Sequence, residues 1–277
     1  MVLDFAKEAI QNSGAYSINF DELRAGKANI KVFGTGGAGC NTITWLFNKG
    51  INGATIYGIN TDALHLSITK ADDKILIGKE LTRGLGCGGY PAKGREAAKE
   101  SISELKKAVG NADMVFVCAG LGGGTGTGAA PVVAQLSKES GAVVIGVVTM
   151  PFECERARID KAEFGLQELR EVTDTVIVVD NNRLVDIAGE LPIEQAFAVA
   201  NELVSTMIKG IVETITLPSL INLDYADVSA IMKGGGVAVI GVGESDNSMR
   251  VDEAVRQALT HPLLDVDYRG ATGALIH

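Results

Sequence analysis

Residues 120–128 read Gly-Leu-Gly-Gly-Gly-Thr-Gly-Thr-Gly, between the apolar run Met-Val-Phe-Val-Cys-Ala at 114–119 and a stretch of helical composition at 129–140. The run is short, apolar and rich in strand formers, so it reads as a buried strand. The stretch after it reads as a helix, with Pro131 tolerable in its first turn. Glycines between the two let backbone approach a ligand closely, and Thr125 and Thr127 add hydroxyl donors. At a helix N-terminus, unpaired N–H groups and the positive end of the dipole converge, which makes a phosphate cradle. A flexible linker shares the composition but has no reason to join a buried strand to its own helix.

A second glycine-rich turn, Gly34-Thr-Gly-Gly-Ala-Gly-Cys-Asn41, follows a strand at 30–33 and opens a helix at 41–48. Gly34, Gly36 and Gly39 match G-x-G-x-x-G, so a nicotinamide-dependent oxidoreductase is one reading. That fingerprint expects an acid about twenty residues on, at the end of the second strand. Here the strand at 54–59 runs into Asn60-Thr-Asp62, a few residues late. A single dinucleotide site also leaves the loop at 120–128 unexplained. Two glycine loops at the ends of two parallel strands suit a nucleoside triphosphate better, and a Walker sequence with its lysine is absent. The third constellation is acidic: Asn222, Asp224 and Asp227 straddle a loop-to-helix junction. Two carboxylates and an amide converging there could hold and polarise a water. The same residues also suit capping, with Asp224 as N-cap of a helix at 225–232 and Asp227 in its first turn.

These residues need a scaffold, and the pattern around them supplies one. Strands are expected at 30–33, 54–59, 74–77, 114–119, 143–148 and 175–179, and helices at 41–48, 92–109, 129–140 and 157–172. Such alternation, with valine-rich strands, means an α/β fold with a parallel sheet covered on both faces. Ligands of such sheets bind beyond the carboxyl ends of the strands, where both glycine loops lie. A long amphipathic helix at 192–216, bounded by Pro192 and Pro218, follows. After it come a strand at 236–243, a helix at 251–260 and the opening of a strand at 273–277; an amphipathic helix at 3–12 and a polar linker precede the sheet.

The 277 residues suffice for one large α/β domain and part of another. A net charge of −9 argues against nucleic acid or an anionic membrane as partner. Cys40, Cys87, Cys118 and Cys154 form no C-x-x-C pair and read as reduced thiols. The longest apolar stretch, 142–148, is too short to cross a bilayer, and the early acids at the N-terminus leave no apolar signal core. The expected compartment is the cytoplasm.

Together the motifs resemble the FtsZ family, prokaryotic tubulin homologues that build the cell-division ring. The resemblance runs from about residue 30 to the end. It rests on Gly122-Gly-Gly-Thr-Gly-Thr-Gly128, Asn60-Thr-Asp62, Gly84-Leu-Gly-Cys-Gly-Gly89, Asn222-Leu-Asp-Tyr-Ala-Asp227 and Gly270-Ala-Thr-Gly-Ala-Leu275. It implies an N-terminal helix and linker (1–29), a GTP-binding domain (30–190), a central helix (191–217) and the start of a smaller α+β domain (218–277). It implies GTP/GDP with Mg²⁺, lined by Gly36, Gly37, Ala38, Gly39, Cys40, Asn41, Asp62, Gly88, Gly89, Gly122, Gly123, Gly124, Thr125, Gly126 and Thr127. Glu155 and Arg158 would meet ribose and phosphates. Arg156 is the alternative to Arg158, because Glu155-Arg-Ala-Arg158 is one residue shorter than the Glu-Gly-Lys-x-Arg of many members, a variant that resembles archaeal ones. Phe197 and Asn201 would hold guanine. Subunits would stack head to tail at mid-cell, with Asn222, Asp224 and Asp227 serving the neighbour's GTP. Family members continue further and end in a tail that recruits accessory and membrane-tether proteins, so the chain looks truncated by comparison. A filament GTPase for cell shape is the alternative within the superfamily.

Overall fold

The computed structural model describes residues 28–183, 192–217, 223–238, 241, 243–259 and 270–274. Its strands are β1 (Ile30–Thr35), β2 (Ala54–Asn60), β3 (Asp73–Leu76), β4 (Met114–Gly120), β5 (Val143–Met150), β6 (Thr175–Asp180) and β7 (Gly236–Ala238). They form one seven-stranded sheet in the order β3-β2-β1-β4-β5-β6-β7, with every neighbouring pair parallel. The helices are α1 (Gly36–Lys49), α2 (Ala63–Ile68), α3 (Lys79–Thr82), α4 (Pro91–Glu100), α5 (Ile102–Val109), α6 (Thr125–Glu139), α7 (Ile159–Val172), α8 (Ile193–Thr216), α9 (Tyr225–Met232) and α10 (Arg250–Leu259). The parallel α/β architecture read from the sequence is the one found.

Side chains alternate along each strand, so each face carries its own apolar layer. On one face Met114, Phe116 and Cys118 pack with Ile43 and Leu46 of α1, with Val204, Met207, Ile208 and Val212 of α8, and with Val228 and Met232 of α9. On the other, Val115, Val117 and Ala119 pack with Ala97 of α4, Leu105 of α5, Ala130 and Val133 of α6, and Leu169 of α7.

Several boundaries differ from the sequence expectation. The helix expected at 41 starts at Gly36, where φ of +72° makes the turn out of β1, so the glycines form the first helical turn itself. The helix expected at 129 starts at Thr125, which leaves Pro131 inside α6, past the first turn. The helix expected at 92–109 breaks at Ser101, whose hydroxyl accepts from Gly78 N at 3.2 Å. The helix expected from 157 is preceded by a 3-10 turn, Glu153–Arg158. Residues 236–238, expected within the smaller domain at 218–277, pair with β6 in the main sheet. No strand is found at 273–274; residues 275–277 and the helix expected at 3–12 lie outside the described residues.

Candidate functional site

Strand order runs outward from β1 through β2 to β3 on one side and from β4 through β7 on the other, so the winding of the connections reverses between β1 and β4 while the strands stay parallel. Crevices at such a switch point are where open α/β sheets bind ligands. The two glycine turns leave these two adjacent strands, and their backbones touch. A Cβ on Gly36 would lie 2.6 Å from Gly126 N, and one on Gly39 would lie 2.3 Å from Cys118 O. Only glycine lets α1 and α6 start this close together, and two helix N-termini with their free N–H groups then share one crevice. A Cβ on Gly37 or Gly123 would meet nothing within 4 Å, so these two positions face the open cradle.

Gly124 does not. A Cβ there would lie 2.7 Å from Cys87 Cβ, 3.0 Å from Tyr90 N and 3.3 Å from Gly89 N. It is the contact between the α6 turn and the loop at 84–89, where Gly88 and Gly89 take φ of +60° and +76°. The threonine hydroxyls, expected as ligand donors, are engaged within the protein. Thr125 Oγ1 lies 2.7 Å from Thr61 Oγ1, and Thr127 Oγ1 accepts from Gly122 N at 2.9 Å. Their backbone N–H groups remain at the helix start. Ala38 and Asn41 are exposed, while the Cys40 thiol points inward to the carbonyls of Gly34 and Ile59, both at 3.6 Å. Burial pushes that thiol up to about 11 and the Cys118 thiol to about 12, so both stay protonated at neutral pH.

Around the crevice, Asp62 caps α2 by accepting from His65 N at 3.0 Å and bridges to Leu85 of the glycine loop. Glu155 accepts from Phe152 N at 3.2 Å and from Arg158 Nη1 at 2.6 Å. A Cβ on Gly122, at φ of +93°, would lie 2.8 Å from both Cβ and O of Arg158, so Arg158 abuts the second glycine turn. Phe197 is 40% exposed at the start of α8, edge-on to Phe152 with centroids 5.5 Å apart. Asn201, one turn later, accepts from Thr42 Oγ1 at 3.0 Å.

The acidic pair is elsewhere. Asp224 caps α9 by accepting from Asp227 N at 2.9 Å, and both residues are exposed. Tyr225 donates to Asp113 O at 2.7 Å, and Thr175 to Met232 O at 2.6 Å. Asp113 and Thr175 sit at the amino ends of β4 and β6, whereas the cradle sits at the carboxyl ends. The length of β4 separates them, about 20 Å at about 3.3 Å per residue. Asn222 lies outside the described residues.

Two polar atoms went unnoticed in the sequence. Thr35 Oγ1 and Asn181 Oδ1 are buried with no hydrogen-bond partner among the described residues. Thr35 ends β1 and Asn181 follows β6, so both stand at the carboxyl edge of the sheet, suited to a polar ligand. No spacing rule singles them out; only pairing in three dimensions does. Among the described residues no group of three or more His, Cys, Asp or Glu could hold a metal on its own, and no helix is long and apolar enough to cross a membrane.

The family model "Tubulin/FtsZ family, GTPase domain" matches residues 29–189, and "FtsZ family, C-terminal domain" matches 236–277. Cell division protein FtsZ 2 of Methanocaldococcus jannaschii is 55% identical over 280 residues, covering 100% of this chain and 73% of the relative. Cell division protein FtsZ 1 of Pyrococcus furiosus is 57% identical over 252 residues, covering 91% of this chain and 68% of the relative. The solved structure of an empty FtsZ dimer from M. jannaschii superposes with a TM-score of 0.87 at 55% identity, covering 91% of this chain and 74% of that one. With two glycine-built helix starts at the switch point of its parallel sheet and these matches along its length, the chain belongs to the tubulin/FtsZ family of GTPases.

Proposed function

We propose that the protein binds and hydrolyses GTP as a head-to-tail filament of the cell-division ring, with each active site completed by the acidic end of the next subunit. The observation that carries this reading is the placement of Asp224 and Asp227 at the amino end of the sheet, opposite the glycine cradle. One subunit cannot bring them to its own crevice, whereas stacking carboxyl end on amino end brings them to a neighbour's.

The backbone N–H groups of the α1 and α6 first turns and of Gly88–Gly89 would hold the phosphates. Glu155 and Arg158 would meet ribose and phosphate, with Phe197 and Asn201 at the base. The open space beside Gly37 and Gly123 leaves room for the phosphate chain, so the residues present fit the substrate. Mg²⁺ would be held mainly by phosphate oxygens and water, as suits an ion that keeps much of its hydration. The charge of Asp227 would orient and polarise the attacking water, a contribution of roughly 10²–10⁴-fold.

Division rather than cell shape is favoured because the relatives matched along most of the chain carry the name of cell division proteins. A cytoplasmic location at the division site follows from that role. The test is the dependence of GTP hydrolysis on protein concentration. Activity per molecule should rise with concentration; a constant specific activity means that each subunit hydrolyses alone and removes the shared-site reading.

A further inference from the structure

Thr42 lies on α1 one turn past its opening glycines, 5% exposed, with Oγ1 3.0 Å from Asn201 Oδ1 and 3.2 Å from Ala38 O. A threonine hydroxyl has one proton to give. Given to Ala38, it would make an ordinary back-bond inside the helix. Given to Asn201, the nearer acceptor, it ties a side chain of α8 to the helix that opens the phosphate cradle. The Thr42 carbonyl in turn accepts from Ser205 Oγ at 3.3 Å, so two successive turns of α8 are pinned to the same residue. Among the described residues, Thr42 is the one hydrogen-bond partner of the Asn201 carboxamide. The exposed Phe197 ring lies one turn before Asn201, on the same side of α8.

We infer that Thr42 is a positioning residue for base selection, holding one end of the Asn201 carboxamide so that the other end meets the nucleobase in a fixed orientation. The inference rests on the proposal that Phe197 and Asn201 receive guanine. A carboxamide free to turn over offers a donor as readily as an acceptor and suits either purine. A fixed one tells them apart, because guanine carries an acceptor at O6 where adenine carries a donor at N6. Mismatched polar groups then stay unpaired, which is how binding sites reject near-isosteres.

Thr42→Val keeps the branched shape of this buried side chain and removes the hydroxyl. In the full chain, GTP affinity should fall about 3- to 10-fold, the worth of one net hydrogen bond, and the GTP-over-ATP preference should narrow by a similar factor. The turnover number at saturating GTP should stay unchanged, and Thr42→Ser should restore both affinity and preference. Asn201→Ala should also weaken GTP binding, and adding Thr42→Val to it should cost nothing more, since the hydroxyl acts through the carboxamide. An unchanged GTP-over-ATP ratio in Thr42→Val, or additive losses in the double variant, overturns the positioning role. Unchanged GTP affinity in Asn201→Ala overturns the guanine reading itself.

Discussion

Neighbouring glycines in one loop have different duties. Gly123 faces open space, whereas Gly124 is wedged against Cys87 and the backbone of Tyr90. Gly123→Leu should therefore lower GTP affinity at least about tenfold, by filling the cradle, with a melting temperature close to that of the parent. Gly124→Leu should lower the melting temperature as well, because overpacking at a closed contact costs about 1–3 kcal/mol. Nucleotide titration alongside thermal denaturation separates the two. The cysteines differ in a similar way. Cys154 is exposed, while burial holds Cys40 and Cys118 protonated, at about 11 and about 12. A folded-state value above the ordinary thiol value of 9.0 stabilises the fold fully below that pH, and the contribution is lost as pH rises toward the folded values. Thermal stability should accordingly decline from about pH 9 upward, and Cys40→Ala should make that decline shallower; an identical slope in the variant would exclude Cys40 as a source of it.

Aspartates recur where elements begin. Asp72 accepts from Ile56 N at 2.7 Å, Asp113 from Asn29 N at 2.7 Å and Asp174 from Val144 N at 2.9 Å. Each satisfies a backbone donor near the amino end of a neighbouring strand, where the ladder stops. Asp224 does the same for α9, so its structural and catalytic roles must be separated experimentally. Asp224→Ala should cost about 1 kcal/mol of stability through the lost cap, whereas Asp224→Asn keeps a capping oxygen and should cost only a few tenths. Both should lose hydrolysis if the charge serves a neighbouring nucleotide. Full activity in a stable Asp224→Asn protein would leave the residue as a helix cap and nothing more.

At the scale of the molecule, α8 connects the two ends. Its 24 residues span about 36 Å. Phe197 near its start stands by Phe152, beyond the carboxyl end of β5, and Thr216 at its finish donates to Asn52 O at 2.9 Å, before the amino end of β2. Along the way it is fastened to α1 by Thr42–Asn201 and by Lys49, which pairs with Glu202 and donates to Thr206 at 2.5 Å. The glycine-turn end and the acidic end therefore sit on one continuous scaffold. Asp227→Asn should reduce hydrolysis roughly 10²–10⁴-fold with GTP affinity close to the parent's. Mixed with Gly123→Leu, which lacks a working cradle, it should regain activity, because an intact pocket then meets an intact acidic end. No recovery on mixing, in proteins that each co-assemble with the parent, would place both half-sites in the same subunit.

Short-range rules made much of this protein legible from its sequence. Short continuous apolar runs marked all seven strands, six of them within a few residues, because a strand buried on both faces needs little but valine and isoleucine. The glycine turns announced two helix starts at the carboxyl ends of adjacent strands, and Asp224 announced a cap. What could not be read locally depends on contacts between distant segments. Helices α1 and α6 begin within their glycines because each helix start lies against another segment's backbone, a distance set by strand order. The hydroxyls of Thr125 and Thr127 turned inward because the Thr61 hydroxyl was there to pair with the first and Gly122 N–H to donate to the second. The packing of Arg158 on Gly122 and the pairing of the seventh strand with β6 likewise join segments distant in the chain. Composition and spacing determined which chemistry the chain carries; the sheet's parallel direction decided that cradle and carboxylates stand at opposite ends, because every strand delivers its carboxyl end to the same side.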